Sequence, residues 1–253
     1  MTQTNGHFVW HELNTLDLDA AIAFYAHVVG WTFEGTTEGE RAYPHIRNLG
    51  GQVGGVMRLP DEARKMGAPP HWTAYIEVPD VDAAAVKVKT LGGHVFVEPM
   101  DIPETGRFAV VADPQGAVFS LFHAATTDAL RDRKQHGEFN WSELATSDDA
   151  AAFAFYAELF GWQKLGAMEM GPMGTYTLFG LGGEQLGGIF KRPPQMPRSA
   201  WLYYIMVSDL DAAMTRATST GGTLVNGPMP VPGGARVVQF IDPQGAMFAL
   251  VGV

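Results

Sequence analysis

The sequence predicts an α+β fold built from four copies of one strand–helix–strand–strand–strand (βαβββ) module, two in each half of the chain. Two observations predict this fold. The first half of the chain is repeated in the second half, and the same order of predicted elements occurs twice within each half. Internal repeats of this kind are typical of folds assembled from one supersecondary unit.

The repeat of the two halves is visible in several segments. Residues 10–31 match residues 141–162 at 13 of 22 positions, and DPQGA occurs at both 113–117 and 242–246. The polar, charged segment TTDALRDRKQHGE between them is typical of a linker. The predicted organisation is a first domain at 1–126, a linker at 127–137 and a second domain at 138–253.

Each half divides again into two modules. The first module begins with a strand at 8–14, followed by Asp17 as a helix N-cap and by an apolar helical face that ends at Gly30. The second begins with a strand at 71–78 and has Asp80 as its helix cap, and strands rich in Val and Phe complete each module. The predicted modules span about 7–60, 70–125, 138–191 and 199–253.

Composition excludes several functional classes. The formal net charge is −10, which argues against nucleic acid or an anionic membrane as a partner. The chain has no cysteine, so disulfides and thiol catalysis are excluded. It has no apolar run of the roughly 20 residues that span a bilayer and no predicted leader peptide. We therefore expect a cytoplasmic protein whose partner is a small molecule.

Two short motifs recur in both halves and favour a structural role. QVGG at 52–55 and QLGG at 185–188 lie in predicted strands and lack the lysine of a phosphate-binding loop. We expect a bulge or a close approach of two backbones at these glycines. DPQG is predicted to be a turn, in which Asp and Pro begin the turn and Gly adopts positive φ.

The order of these modules resembles the vicinal oxygen chelate superfamily, which contains glyoxalase I, extradiol dioxygenases and bleomycin-resistance proteins. The segments that carry the resemblance are DLDAAIAFYAHVVGW, VPDVDAAAVKVKTLGG and ADPQGAVFSLF, with their second copies. The chain is most similar to two-domain glyoxalase-like proteins known as antigens or hydroxylases. The resemblance implies paired modules that form curved mixed sheets enclosing cavities. It also implies a monomer that is a covalent pseudo-dimer, with further dimerisation left open.

Metal-using members of the superfamily take their ligands from the first and last strands of each module. On this sequence the family pattern falls on residues that are poor or incapable ligands, namely Trp10, Thr73, Ser120, Trp141, Leu202 and Ala249. All eight histidines lie at or before residue 136, so the second half has none. We therefore expect no metal and no cofactor. A relocated metal site could use His11, His45, His71 or His123, and we interpret each of these four as a surface or rim residue instead.

Strand alternation predicts which side chains face the cavities instead. Trp10 shares a face with Glu12, and Trp141 shares one with Glu143. In the first strand of the second module, Tyr75 and Glu77 share a face. Tyr204 and Met206 occupy the same positions in the fourth module. Arg107 and Arg236 follow Gly-rich loops and are predicted either to hold an anion or to pair with a nearby Asp. The predicted ligand-binding residues are Trp10, Tyr75, Glu77, Trp141, Tyr204, Arg107 and Arg236.

Three functional hypotheses follow. The first is a binding protein for a small organic molecule, without the usual metal, whose cavities are lined by aromatic residues and methionine. The second is a metal-independent lyase, isomerase or hydrolase with Glu12 or Glu143 as a base of raised pKa and with Tyr75 or Tyr204 as its acid partner. The third is a divalent-metal glyoxalase-type lyase or dioxygenase with displaced ligands.

Overall fold

The computed structural model describes residues 4–39, 42–126 and 132–253. Residues 127–131 of the predicted linker lie outside this range. Among the described residues, no helix is long and apolar enough to cross a membrane.

The four predicted βαβββ modules are confirmed. In the first half the elements are β1 (Phe8–Thr15), α1 (Leu18–Val29), β2 (Thr32–Glu34), β3 (His45–Asn48), β4 (Gly51–Arg58), a short α2 (Asp61–Lys65), β5 (His71–Glu77), α3 (Val81–Thr90), β6 (His94–Ile102), β7 (Gly106–Ala112) and β8 (Val118–Ala124). In the second half they are β9 (Phe139–Thr146), α4 (Asp149–Phe160), β10 (Gln163–Glu169), β11 (Thr175–Leu181), β12 (Glu184–Lys191), β13 (Ala200–Met206), α5 (Leu210–Ser219), β14 (Thr223–Pro230), β15 (Arg236–Ile241) and β16 (Met247–Gly252).

The strands form two eight-stranded mixed sheets. Their orders are β2-β3-β4-β1-β5-β8-β7-β6 and β10-β11-β12-β9-β13-β16-β15-β14. In each module the first and last strands pair in parallel, and the remaining pairs are antiparallel hairpins. This is the predicted α+β class, and the sheets are open rather than closed into barrels.

The helices begin where the sequence predicts. The side chains of Asp17, Asp80, Asp148 and Asp209 each accept a hydrogen bond from a backbone N–H three residues later. These N-caps satisfy amides that have no partner inside the helix. Helix α1 ends at Gly30 and α4 ends at Gly161, both in the left-handed conformation that favours glycine.

Within the described residues, contacts divide the chain into two compact units, each with one module from each half. Compact unit I contains modules two and three, and compact unit II contains modules one and four. Unit I comprises 4–9, 74–126 and 142–201, and unit II comprises 10–39, 42–73, 132–141 and 202–253. The predicted domains at 1–126 and 138–253 describe the sequence repeat. They stay a prediction, because each compact unit combines segments from both halves.

Each unit has an aromatic core. In unit II the rings of Tyr25, Trp31, Trp72, Phe139 and Phe248 pack at centroid distances of 5.3–5.9 Å. Unit I repeats this packing with Phe119, Tyr156, Trp162, Phe179 and Trp201. These rings bury a large apolar area and fix the strands that carry the candidate sites.

Candidate functional site

A chain of hydrogen bonds links the predicted residues Trp10 and Glu12. The Trp10 indole Nε1 donates to the Tyr43 hydroxyl at 2.9 Å, and that hydroxyl donates to Glu12 Oε2 at 2.8 Å. The other carboxylate oxygen, Oε1, accepts from Asn14 Nδ2 at 3.3 Å. Trp10 and Glu12 therefore lie on one face of β1, as strand alternation predicts, and both Glu12 oxygens are hydrogen-bonded.

The glycine pair in β4 makes room for this chain. A side chain on Gly54 would collide with the His11 carbonyl oxygen, and one on Gly55 would collide with the Tyr43 ring. The predicted close approach at QVGG is therefore confirmed. Its consequence is that the Tyr43 ring has room beside Gly55, where its hydroxyl reaches the carboxylate of Glu12.

The second half repeats the core of this arrangement in unit I. The Tyr176 hydroxyl donates to Glu143 Oε2 at 3.0 Å, and a side chain on Gly188 would collide with the Tyr176 ring. Ala145 stands where the first copy has Asn14. The second glutamate thus has a matching tyrosine but not the amide donor supplied by Asn14.

Sequence reasoning missed Tyr43 and Tyr176. Both lie outside the segments in which the duplication is obvious, although Tyr43 and Tyr176 are 133 residues apart, as are Gly55 and Gly188. A search at that spacing would have found them together.

The residues predicted for the second module lie in unit I. Tyr75 packs against the rings of Phe108 and Phe122, at centroid distances of 6.2 and 5.9 Å. Glu77 is buried and its Oε1 lies 3.1 Å from His123 Nδ1. Burial raises the pKa of Glu77, an effect partly offset by a hydrogen bond from the Ala124 backbone and by His123.

The corresponding residues of the fourth module lie on a more apolar surface in unit II. Tyr204, Val237, Ala249 and Val251 are buried there, and six partly buried residues pack against them. The six are Trp141, Leu202, Met206, Met229, Val231 and Ala235. The hydroxyl of Tyr204 accepts from Gln239 Nε2 at 2.9 Å. We call this set the apolar face.

Both predicted arginines are engaged with aspartates. Arg107 donates two hydrogen bonds to Asp82, at 2.7 and 2.9 Å, and one to Asp101 at 2.8 Å. Arg236 donates to both oxygens of Asp211, at 3.1 and 2.9 Å. Of the two predicted roles, the geometry matches the pairing with a nearby Asp, and an anion-binding role for either arginine stays a prediction.

The DPQG motif does more than form a turn. In unit II, Trp72 Nε1 donates to the Tyr25 hydroxyl at 2.9 Å, which donates to Asp242 Oδ2 at 3.0 Å. In unit I, Trp201, Tyr156 and Asp113 repeat this relay at 3.1 Å for both bonds. Burial is the largest cause of a pKa well above the usual value for Tyr25, and of a raised pKa for Asp113. Trp72 and Trp201 are therefore core residues.

The interpretation of the histidines as surface or rim residues is wrong for His11. Its side chain is buried and stacks on Phe139, with a centroid distance of 3.7 Å and an interplanar angle of 11°. Tyr203 meets the same imidazole edge-on at 5.1 Å. Burial, with a smaller effect of the positive charge of Arg133, holds the pKa of His11 well below its usual value. The imidazole is thus a neutral part of the aromatic core.

The residues at the usual ligand positions do not fit the divalent metal ion that metal-using members of the vicinal oxygen chelate superfamily bind. At the usual ligand positions, the indole nitrogen of Trp10 donates a hydrogen bond to Tyr43. The side chains of Leu202 and Ala249 have no atom that can bind a metal ion. Thr73 and Ser120 offer only hydroxyls, which are weak ligands when neutral. Across residues 4–39, 42–126 and 132–253, no three His, Asp or Glu side chains are grouped so that they could hold a metal ion.

Comparison with known proteins agrees with the repeat. The family model for the Glyoxalase/Bleomycin resistance protein/Dioxygenase superfamily matches residues 6–121 and 138–250. The protein named "Putative glyoxylase CFP32" from Mycobacterium tuberculosis is 32% identical over 244 residues, covering 96% of this chain and 93% of that protein. The anthracycline biosynthesis protein DnrV from Streptomyces peucetius is 31% identical over 255 residues, covering 96% and 91%.

Solved structures share the fold at low identity. The 2,3-dioxygenase LapB from Pseudomonas sp. KL28 superposes with a TM-score of 0.68 at 13% identity, over 99% of this chain and 94% of that one. The Mn(II)-bound glyoxalase from Novosphingobium aromaticivorans gives 0.63 at 17% identity, over 98% and 82%. These likenesses concern the arrangement of strands and helices.

Proposed function

We propose that this chain, which belongs to the Glyoxalase/Bleomycin resistance protein/Dioxygenase superfamily, binds a small organic molecule in its β-sheet cavities without the usual metal ion. The observation that carries the proposal is the apolar face, on which four buried residues are outnumbered by six that are only partly buried. A surface of this kind is typical of a ligand-binding wall, because a closed core would bury its apolar side chains.

The chemistry of this face favours a planar, mostly apolar ligand. Trp141 offers an aromatic surface, and the flexible side chains of Met206 and Met229 adapt to irregular shapes. The Tyr204–Gln239 pair is a single polar anchor that fixes orientation. The name of the relative DnrV places that protein in anthracycline biosynthesis, so we propose fused aromatic rings as the ligand class for this chain.

Replacing Met206 with glutamate is expected to weaken binding of an anthracycline by about tenfold or more, because ligand binding would desolvate the new carboxylate. The affinity is measured by fluorescence titration of chelator-treated protein, with and without added Mn(II). Leu224→Glu is the matched control, since Leu224 is exposed on β14 of the same half. Unchanged affinity in Met206→Glu, or binding that requires the metal, would contradict the proposal.

The hydrogen bond between Glu12 and Tyr43 favours a second candidate function, that of a metal-independent lyase, isomerase or hydrolase. The 2.8 Å contact joins a carboxylate to a phenol, which are groups that act as base and acid in proton transfer. In this proposal Tyr43 and Tyr176 replace Tyr75 and Tyr204 as acid partners, because their hydroxyls donate directly to Glu12 and Glu143.

In this second candidate, Glu12→Gln is expected to lower conversion of the anthracycline, followed by liquid chromatography and mass spectrometry, by about 100-fold or more. Glutamine still accepts the Tyr43 hydrogen bond but cannot take up a proton. Glu143→Gln is the matched variant for the second half. Full conversion by both variants would exclude these glutamates as bases while leaving the binding proposal intact.

A further inference from the structure

The first half carries a chemically different counterpart of the apolar face. The two sets of residues are related by a constant spacing of 129 positions in the sequence. Glu77 corresponds to Met206, Phe108 to Val237, Ser120 to Ala249, Phe122 to Val251 and His123 to Gly252. One surface is thus aromatic and charged where the other is aliphatic and neutral.

The pairing of strands brings Tyr75, Glu77, Phe108, Ser120 and Phe122 onto one face of unit I. In the parallel pair β5–β8, Tyr75 lies opposite Ser120 and Glu77 lies opposite Phe122. In the antiparallel pair β7–β8, Phe108 lies opposite Phe122. Residues opposite each other in a sheet point to the same side. Three rings and a carboxylate therefore share one surface, which we call the aromatic–acidic face.

Glu77 is the anionic group on this face. It is 8% exposed, and its hydrogen-bond partner His123 has a side chain that is 51% exposed. The His123 Nδ1 lies 2.9 Å from the Val78 carbonyl oxygen as well as 3.1 Å from Glu77 Oε1, so one N–H is shared between two acceptors. The carboxylate also accepts a hydrogen bond from the Ala124 backbone. Solvent weakens the contact with the exposed imidazole, so these partners compensate the negative charge of the buried carboxylate only in part.

We propose that the aromatic–acidic face binds an organic ammonium ion, with the nitrogen beside Glu77 and its substituents against Tyr75, Phe108 and Phe122. A buried carboxylate gains most from a cation that enters its low-dielectric surroundings. Aromatic rings attract cations through their negative faces, and they also bury alkyl or aryl substituents.

A second observation points to a ligand on this face. The hydroxyl of Ser120 is fully buried and has no hydrogen-bond partner among the residues that the structure describes. Leaving such a group unpaired costs about 1–3 kcal/mol, and a polar group on a bound molecule would remove that cost. Ala249, the counterpart of Ser120 in the second half, has no polar side-chain group that needs a hydrogen-bond partner.

The site is confined to the first half. Gly252 stands at the position of His123, and a side chain there would approach the Val207 carbonyl oxygen to 2.5 Å. Met206 removes the negative charge as well. The proposed ammonium site therefore has a stoichiometry of one per chain, and it uses none of the residues of the apolar face.

The test uses isothermal titration calorimetry of the full chain with benzylammonium and with its neutral analogue benzyl alcohol. We expect one benzylammonium per chain, bound at least about tenfold more tightly than benzyl alcohol. Glu77→Gln, which keeps the shape of the side chain, is expected to remove this preference. The matched control Glu98→Gln, at an exposed glutamate of β6 in the same unit, is expected to keep it. Phe122→Leu is expected to weaken benzylammonium binding about threefold.

The proposal is overturned if wild-type protein shows no preference for the ammonium ion, or if Glu77→Gln binds both probes as the wild type does. Anthracycline affinity of the same variants is measured in parallel. Loss of anthracycline binding in Met206→Glu with benzylammonium binding retained would separate the two sites, so that either proposal can fail alone.

Discussion

Replacing Asp242 with alanine is expected to lower the free energy of unfolding by about 3–5 kcal/mol. The carboxylate accepts from the Tyr25 hydroxyl at 3.0 Å and from the backbone N–H groups of Gln244 and Ala246, both at 2.9 Å. Its removal leaves three donors, of which the Tyr25 hydroxyl is fully buried, without that acceptor. Urea denaturation followed by circular dichroism measures the change.

Asp113→Ala is the matched variant, since Asp113 accepts from Tyr156, Gln115 and Ala117 in the same way. Asp211→Ala removes a solvent-screened ion pair with Arg236 and is expected to leave the free energy of unfolding nearly unchanged. Equal effects of Asp242→Ala and Asp211→Ala would show that the relay contributes little to stability.

Replacing His11 with phenylalanine is expected to make stability less dependent on pH below about 6.5. The pKa of His11 is lowered in the folded state, chiefly by burial. As the pH falls below the usual histidine pKa, the His11 imidazole binds a proton in the unfolded chain, whereas the buried imidazole of the folded chain stays neutral. Wild-type stability should therefore fall by about 1.4 kcal/mol per pH unit from this group, over the window between its unfolded and folded pKa values.

The measurement compares urea midpoints of wild type and His11→Phe at several pH values between about 5 and 8. The phenylalanine ring can stack on Phe139 without titrating. His27→Gln, at an exposed position of α1, is the control and is expected to keep the wild-type slope. The same slope in wild type and His11→Phe would show that His11 does not oppose protonation.

Local patterns were sufficient for the strands and for the helix of each module, but they did not predict the short helix α2. Alternation in β1 predicted that Trp10 and Glu12 share a face, and the Tyr43 hydroxyl that bridges them confirms it. Asp–apolar spacing predicted the helix starts, because the capping interaction lies within four residues of sequence. The usual metal-ligand positions, by contrast, were placed on residues such as Trp10 and Ala249 by the resemblance to the superfamily.

The contacts that the sequence did not reveal are those between distant elements. Tyr43 approaches Glu12 because β4 brings its hairpin partner beside β1, and no local signal specifies that register. His11 was misinterpreted because periodicity gives the face of a strand but not what covers that face, which here is Phe139.

The hydrogen bond between Tyr25 and Asp242 has a consequence for synthesis on the ribosome. The two residues are 217 positions apart, and translation adds roughly 5–20 residues per second. The α1 helix therefore emerges about 10–40 s before the carboxylate that completes its core is made. During that interval the apolar side of the first module lacks its native cover, and exposed apolar surface of this kind promotes aggregation of incomplete chains.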